Sequence, residues 1–589
     1  MRQKKGPSRL AAMILVQALI AGLFSGCSSA PEQIEDTTDT VDTAVFQQKA
    51  ELLRGAVLTG EVREELIEDP AGEAGYAVFL SVCGGTERAS VYSGTGDTLD
   101  SAWDAAVLAA DTALQQGGPL PLWLKADLVY VSAALPAGAL QNMEEVFGAY
   151  GFRYGLAFDP GYETALLEAE LNSTGIYDYE AGGVDLERLN AYLEESGRAP
   201  LASLPETYQA FQCAGWLCDE TGAVFQLSLD DLDYGHREMN TTDGGIARAL
   251  ALDGAEYLAE QVQEDGSILL PGGEERLSAA EHADVLSAII QGYRLLPSET
   301  LAKGIDRAAG WLLSQTAYTE DDVAYLPDHG EITLESSALA LIALADCAET
   351  SGNTGYIPAC EALGAGILSL LDTGTGSFTH VLDASDLGRK EAVRSAEWDG
   401  MGVTALCRLY GLTQDPLWLW AAELVLDRMI EEDPAQYGDV WTACALREVT
   451  KYAQDRTDYF VFALKHAQVN MASVYGAQGT DPAGLEMLLV SCETYGAMLD
   501  AGYSADGFAS ELLQEIIAVR AQRQLDGYLF PEYAMYFAEP QKVLGAFMVR
   551  EDGLDISASG MCRNIGGYSL YAVYCDKLAA EKPSEYEGA

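Results

Sequence analysis

From about residue 241 to 580 the chain is written as some twelve amphipathic segments in succession, and this succession limits the fold more than any other feature. Apolar residues recur at helical spacing near 244–264, 278–294, 299–316, 332–351, 356–371, 396–411, 416–432, 437–453, 456–475, 482–501, 505–525 and 561–579. A helix with one apolar stripe must bury it against a neighbour, so the segments are expected to pair as six hairpins. The stretch 397–432 shows the unit. Leu406, Leu409 and Tyr410 carry one apolar face, and Leu417, Leu419, Leu424 and Met429 carry the next. Thr413 to Pro416 is the turn, with Asp415 placed to cap and Pro416 able to open the second helix. Connections leaving even-numbered helices are short, as at Pro297-Ser298, whereas those leaving odd-numbered helices are mostly longer. In a ring of hairpins the long loops therefore share one face, which receives the N-termini of the even helices.

Three of the long loops open on a similar motif: Asp265-Gly266-Ser267-Ile268, Thr375-Gly376-Ser377-Phe378 and Asp526-Gly527-Tyr528-Leu529. Each follows a helix, with glycine where a helix end often needs positive φ. On these segments and loops, 241–580 resembles the (α/α)6 toroids, the six-hairpin class of many glycoside hydrolases, polysaccharide lyases and the helical domain of glucuronyl C5-epimerases. The resemblance implies a funnel lined by the even helices, with ligands at the end where the long loops lie. Phe152 to Phe158, Glu168 to Asn172, Thr404 to Tyr410 and Phe530 to Phe537 look like signatures of large bacterial toroid proteins that carry an α+β domain ahead of the ring. The chain departs from that pattern where Gly400 is followed by Met401 and Gly402, at Val440 between Asp439 and Trp441, and at Ser557, Ser559 and Arg563. Polar positions there have become apolar or small.

Ahead of the ring, 44–240 alternates between strands and helices. Tyr76 to Cys83 and Ala89 to Tyr92 read as a hairpin through Gly84-Gly85, and Phe211 to Leu217 with Val224 to Leu229 as a second around Asp219-Glu220-Thr221-Gly222. The expected fold class is thus an α+β N-terminal domain followed by an all-α (α/α)6 toroid. At the start, Arg2, Lys4 and Lys5 precede an apolar run from Leu10 to Leu23 that ends at Phe24-Ser25-Gly26-Cys27. This resembles a bacterial lipoprotein signal, with residues 1–27 as signal peptide and Cys27 as the lipidated residue. Residues 28–43, rich in Ser, Thr, Asp, Glu and Pro, form a flexible tether, and 581–589 a disordered tail. The mature chain is expected on the extracytoplasmic face of a cell membrane.

Net charge narrows the partners. With 91 acidic against 34 basic residues the chain carries −57, which excludes nucleic acid and disfavours heavily anionic polysaccharides. A neutral glycan or other small extracellular ligand fits better. Ten cysteines besides Cys27 are dispersed among apolar neighbours, and five histidines are scattered, so neither a metal site nor a cofactor is expected.

The starts of the even helices collect the polar and aromatic residues. Glu281, Glu397, Asp399 and Asp439 are the candidate acids and bases, and Trp398, Trp441, His282, Glu335, Tyr437, Arg563 and Tyr568 the candidate ligand-binding residues. Acids also gather at helix N-termini to complement the dipole, but tryptophan and histidine are not explained that way. Carboxylates flanked by Trp and Tyr suit sugars, because aromatic faces stack on C–H surfaces while acids bond hydroxyls or move protons. Two classes follow: a glycan-active hydrolase, lyase or epimerase, or a binding or assembly lipoprotein using the same funnel without chemistry. Isoprenoid cyclisation is disfavoured, because Asp230-Asp231-Leu232-Asp233 departs from the usual Asp-rich spacing and lies outside the ring.

Overall fold

The computed structural model describes residues 44–59, 75–118, 120–201, 203–229, 234–237, 242–271, 275–390, 394–433, 438–477, 479–549 and 556–581. The stretch expected to be a lipoprotein signal with Cys27, the expected tether, Tyr437, the residues after 581 and the Asp-rich stretch 230–233 lie outside them. Among the described residues no helix is long and apolar enough to cross a membrane.

Contacts divide the chain into two units, one of residues up to 132 with 160–163 and 213–226, the other of 133–159, 164–212 and everything from 227. The division falls inside the α+β segment rather than at residue 240, because long strands run from one unit into the next. In the first unit, helix α1 (Ala44–Thr59) precedes an antiparallel hairpin of β1 (Tyr76–Cys83) and β2 (Ser90–Gly96), paired from Tyr76↔Gly96 to Val82↔Ser90. Helix α2 (Leu99–Gln115) follows, opened by a capping box between Thr98 and Ser101. The first half of β3 (Trp123–Pro136) pairs with β1. In the second unit, β4 (Gly155–Ala157) pairs with β5 (Ala165–Leu166) and with the first half of β6 (Thr207–Cys218). The second half of β6 belongs to the first unit and pairs with β7 (Val224–Gln226), the expected second hairpin.

The rest of the second unit is the helical ring. Its helices are α3 (Gly244–Glu260), α4 (Ala279–Leu295), α5 (Glu299–Gln315), α6 (Leu334–Ser351), α7 (Ile357–Leu370), α8 (Ala396–Thr413), α9 (Pro416–Glu432), α10 (Val440–Thr450), α11 (Thr457–Gly476), α12 (Ala483–Asp500), α13 (Ser510–Arg523) and α14 (Ala558–Glu581). Helices α4, α6, α8, α10, α12 and α14 pack each on the next, and α14 packs back on α4. The ring is closed. These are the even segments of the sequence, and the odd ones lie outside them. The inner helices are apolar on most sides: in α6 every residue from Ser336 to Ala348 is buried.

Local chemistry sets the entries. Asp415 accepts from the Leu417 amide with Pro416 at the first helical position, as expected, while Ser278, Thr333 and Asp439 cap α4, α6 and α10. Gly266 has φ of 86° and Gly376 has φ of 72°, so two of the three loop glycines need the left-handed region. Gly527 does not; it ends a short 3-10 helix, and a Cβ there would come within 2.5 Å of the Met548 carbonyl oxygen. Long loops meet over one face in a small sheet, where Glu331–Thr333 pairs with Pro327–Asp328 and with Val381–Asp383. The ten described cysteines are free thiols, eight of them buried.

Candidate functional site

The first turns of the inner helices converge, and each helix contributes. Asp284 comes from α4, Glu335 from α6, Glu397 and Trp398 from α8, Trp441 with the capping Asp439 from α10, Glu486 from α12 and Arg563 from α14. Arg563 is the hub. Its Nη1 donates to Glu486 Oε2 at 2.9 Å and its Nη2 to Asp284 Oδ1 at 2.5 Å, with the guanidinium 5.2 Å from the centre of the Trp441 ring. Such charge-assisted bonds hold the three helices in register.

Around this hub sit Glu335, Glu397 and Asp439, which no cation pairs with among the described residues, beside the paired Glu486. Burial pushes the Glu335 carboxyl up, and Glu397, Asp284 and Glu281 add to the push, so that it titrates at about 7 despite a hydrogen bond from Trp398. Glu397 is raised by burial and by Asp439, with Arg563 opposing. Glu486 is also raised, first by burial, against the pull of Arg563. The Asp439 carboxylate is used on one side only: Oδ1 accepts from the Thr442 amide at 2.6 Å, whereas Oδ2 is buried without a hydrogen-bond partner. A carboxyl holding its proton near neutrality beside an ionised one can give or take a proton.

The helices must approach closely for this. A Cβ on Gly400 would lie 2.7 Å from the Trp441 carbonyl carbon and 2.9 Å from the Thr442 nitrogen, so Gly400 serves the contact between α8 and α10.

Several expected residues are placed elsewhere. His282 is fully buried and turns to the outer helix α5, with Nε2 donating to the Ala308 carbonyl at 2.9 Å and its ring 4.1 Å from Trp311. Burial pushes its imidazole down to about 4. Tyr568 is fully buried too, donating to the Ala521 carbonyl of α13 and stacking on Phe547. Helical periodicity put both at the rim, yet each lies on the outward side of its helix. Glu281 closes the capping box of α4, accepting from the Ser278 amide at 3.0 Å and hydroxyl at 2.7 Å, and reaches the cluster only through its charge.

Asp399 is buried and bound to a residue that sequence reasoning left among the scattered histidines. His380, on the loop before α8, accepts at Nδ1 from the Ser395 amide at 3.1 Å, which leaves the proton on Nε2 to donate to Asp399 Oδ1 at 3.0 Å. Trp398 lies with its ring 5.6 Å from that imidazole, half-buried between it and Glu335. Trp441 is 8% exposed, covered by Arg563. Asp284 and Glu486 were missed. The signal for both was an acid flanked by apolar residues in an inner helix, between Ala283 and Val285 and between Leu485 and Met487.

No family model and no curated protein matches the sequence. Solved structures similar to this chain include D-mannose isomerase, 9% identical with a TM-score of 0.41 over 56% of this chain and 97% of that one. A second is cellobiose 2-epimerase from Spirochaeta thermophila, 12% identical with a TM-score of 0.43 over 57% and 98%. A third is an α-mannanase from Bacteroides thetaiotaomicron, 11% identical with a TM-score of 0.39 over 57% and 97%. At such scores the likeness carries no argument about chemistry. The neighbours are (α/α)6 toroid enzymes, the class that the ring resembles in sequence.

Proposed function

We propose that this chain is a lipid-anchored extracytoplasmic protein whose helical ring binds a glycan at the first turns of its inner helices and exchanges a proton with it through Glu335. One observation carries the reading: Glu335 titrates at about 7 while its carboxyl touches the indole of the half-buried Trp398. A sugar stacked on Trp398 would bring its hydroxyls and ring hydrogens to Glu335, with Glu397 as the second carboxyl. Acid–base chemistry of the hydrolase, lyase or epimerase kind needs such a pair. Glu335→Gln is expected to retain binding of the processed glycan and to lower turnover by about a hundredfold or more. Trp398→Ala is expected to lose binding itself. Full turnover in Glu335→Gln would refute the proton-transfer role.

A second reading, binding without chemistry, is favoured by the engagements of Glu281, Asp439 and Asp399. Each of these expected acids is already committed to a helix cap or to His380. The Glu335→Gln assay separates the two readings.

The anchor rests on Cys27 and its flanks. Cys27→Ser is expected to leave the precursor unprocessed or to release the chain from the membrane fraction. Unchanged processing and fractionation would reject lipidation.

A further inference from the structure

Granted that the ring binds a glycan against Trp398, the indole has to be held in a fixed attitude to the neighbouring helix α6. We propose that His380 does this: it is a positioning residue that ties the entry of α6 to the entry of α8 and sets the orientation of Trp398. Its backbone carbonyl accepts from the Leu334 amide at 2.9 Å. Its imidazole accepts from the Ser395 amide at 3.1 Å and donates to Asp399 Oδ1 at 3.0 Å. Leu334 stands immediately before Glu335, and Asp399 immediately after Trp398. One loop residue therefore holds the turn that carries the proposed proton-transfer group and the turn that carries the proposed stacking face.

The entry of α8 differs from its neighbours in a way that suits this role. Ser278, Thr333 and Asp439 cap α4, α6 and α10 with their own side chains, whereas the Ser395 side chain caps nothing and the His380 ring takes the Ser395 amide instead. His380 is itself held on both sides. The Thr379 amide donates to the Leu370 carbonyl at 2.8 Å, and Val381 pairs with Thr333 in the small sheet. The residue is 3% exposed, so its bonds have no water to exchange with. Arg394 also approaches Asp399, at 3.6 Å, but from the exposed side; the buried, directional bond is that of His380. Phe378 completes the contact, since a Cβ on Gly402 of α8 would lie 2.8 Å from its ring and 3.4 Å from the Leu334 side chain. Against this fixed imidazole the Trp398 ring lies 5.6 Å away, centre to centre, and tilted by 48°. A side chain whose own support is locked can orient the next one.

The test reads the setting of one indole by near-UV circular dichroism of the full chain. Because the chain has eight tryptophans, each variant is measured with and without Trp398→Phe and the difference is taken. His380→Gln places an amide nitrogen at the reach of Nε2 and is expected to keep the Trp398 band. His380→Asn keeps an acceptor for the Ser395 amide but is too short to reach Asp399, and is expected to reduce the band about twofold or more. Calorimetry with cellohexaose and with α-1,6-mannohexaose then tests the reading on which the inference rests. Whichever binds the parent chain is expected to bind His380→Asn about tenfold more weakly than His380→Gln. Equal bands in the two variants, or equal affinities, would overturn the inference. So would a folded His380→Leu variant of lowered stability with an unchanged Trp398 band, the signature of a residue that only holds the fold. A parent chain that binds neither hexasaccharide, with the bands as expected, would uphold the positioning role and count against the glycan reading.

Discussion

The two ends of the inner ring are built from the same six helices and treat charge in opposite ways. At the first turns, carboxylates outnumber cations and several stay unpaired. At the last turns, acids and bases close on one another. Asp346 binds Arg294 at 2.9 Å and Arg408 at 2.6 Å, while Glu448 binds Lys451 at 2.7 Å and Arg447 at 3.2 Å. Glu493 binds Arg447 as well, at 3.2 Å. Burial pushes the Glu448 carboxyl up, but Arg447, Arg408 and Lys451 together pull it down to about 2. A cavity of about 390 Å³ lies at this end, lined by Arg408, Arg447, Glu448, Lys451 and Glu493 among others. A cavity at this end invites a ligand. Pairing argues otherwise, because the charges around that cavity already satisfy one another, whereas those at the first turns do not. The helix dipole accounts for which sign collects at each end, acids at N-termini and bases at C-termini. It does not account for acids left open.

Breaking the closed end should have the largest effect on stability. Glu448 is 1% exposed, so Glu448→Gln leaves Arg447 with Glu493 alone and Lys451 without its buried partner, and is expected to cost about 3 kcal/mol in urea unfolding at pH 7. Its folded carboxyl titrates at about 2 against an ordinary 4.5, so the stability it confers is fully present above pH 4.5 and disappears as pH falls toward 2. The penalty of the substitution should shrink over that range. Ligand binding at the open end should stay unchanged, and a loss of binding would show that the two ends are not independent.

Glu335→Gln tests the open end with the opposite sign. Here the folded carboxyl titrates at about 7, above the ordinary 4.5, so its ionisation opposes folding. That opposition is absent below pH 4.5 and complete above pH 7. Removing the charge is expected to stabilise the chain by about 1 kcal/mol above pH 7, after allowance for solvent screening, and to do nothing at pH 4. A destabilised variant at pH 8 would mean that Glu335 has a cation partner.

The smallest effect should come from Asp399→Asn. The amide oxygen still accepts from His380 Nε2, so stability should fall by only about 0.5 kcal/mol and ligand binding should hold. If this change abolishes binding or turnover, Asp399 belongs to the reacting groups rather than to the support of Trp398.

Much of this architecture was legible in the residues themselves. The twelve periodic segments, Asp415 with Pro416, and short links after even helices against long ones after odd helices were enough to place the even helices inside and the long loops over one face. Each of these is a local signal, readable within one or two helical turns. The candidate site was legible only in outline, as the starts of the inner helices, where Glu335, Glu397, Trp398, Asp439, Trp441 and Arg563 lie.

What tertiary structure decided is which way each side chain turns and what it meets. His282 and Tyr568 share the rim's sequence positions but face outer helices, because successive residues on a helix point about 100° apart and only packing says which direction is inward. Asp284 and Glu486 lie 202 positions apart in the chain and meet only because α14 closes the ring and brings Arg563 between them. His380 and Asp399 pair across the loop ahead of α8. The sequence by itself determined the period, the caps and the links, which are local steric and hydrogen-bonding preferences. The pairing of charges, and hence which carboxylates are spent and which stay open, depends on distances that exist only once the ring has closed.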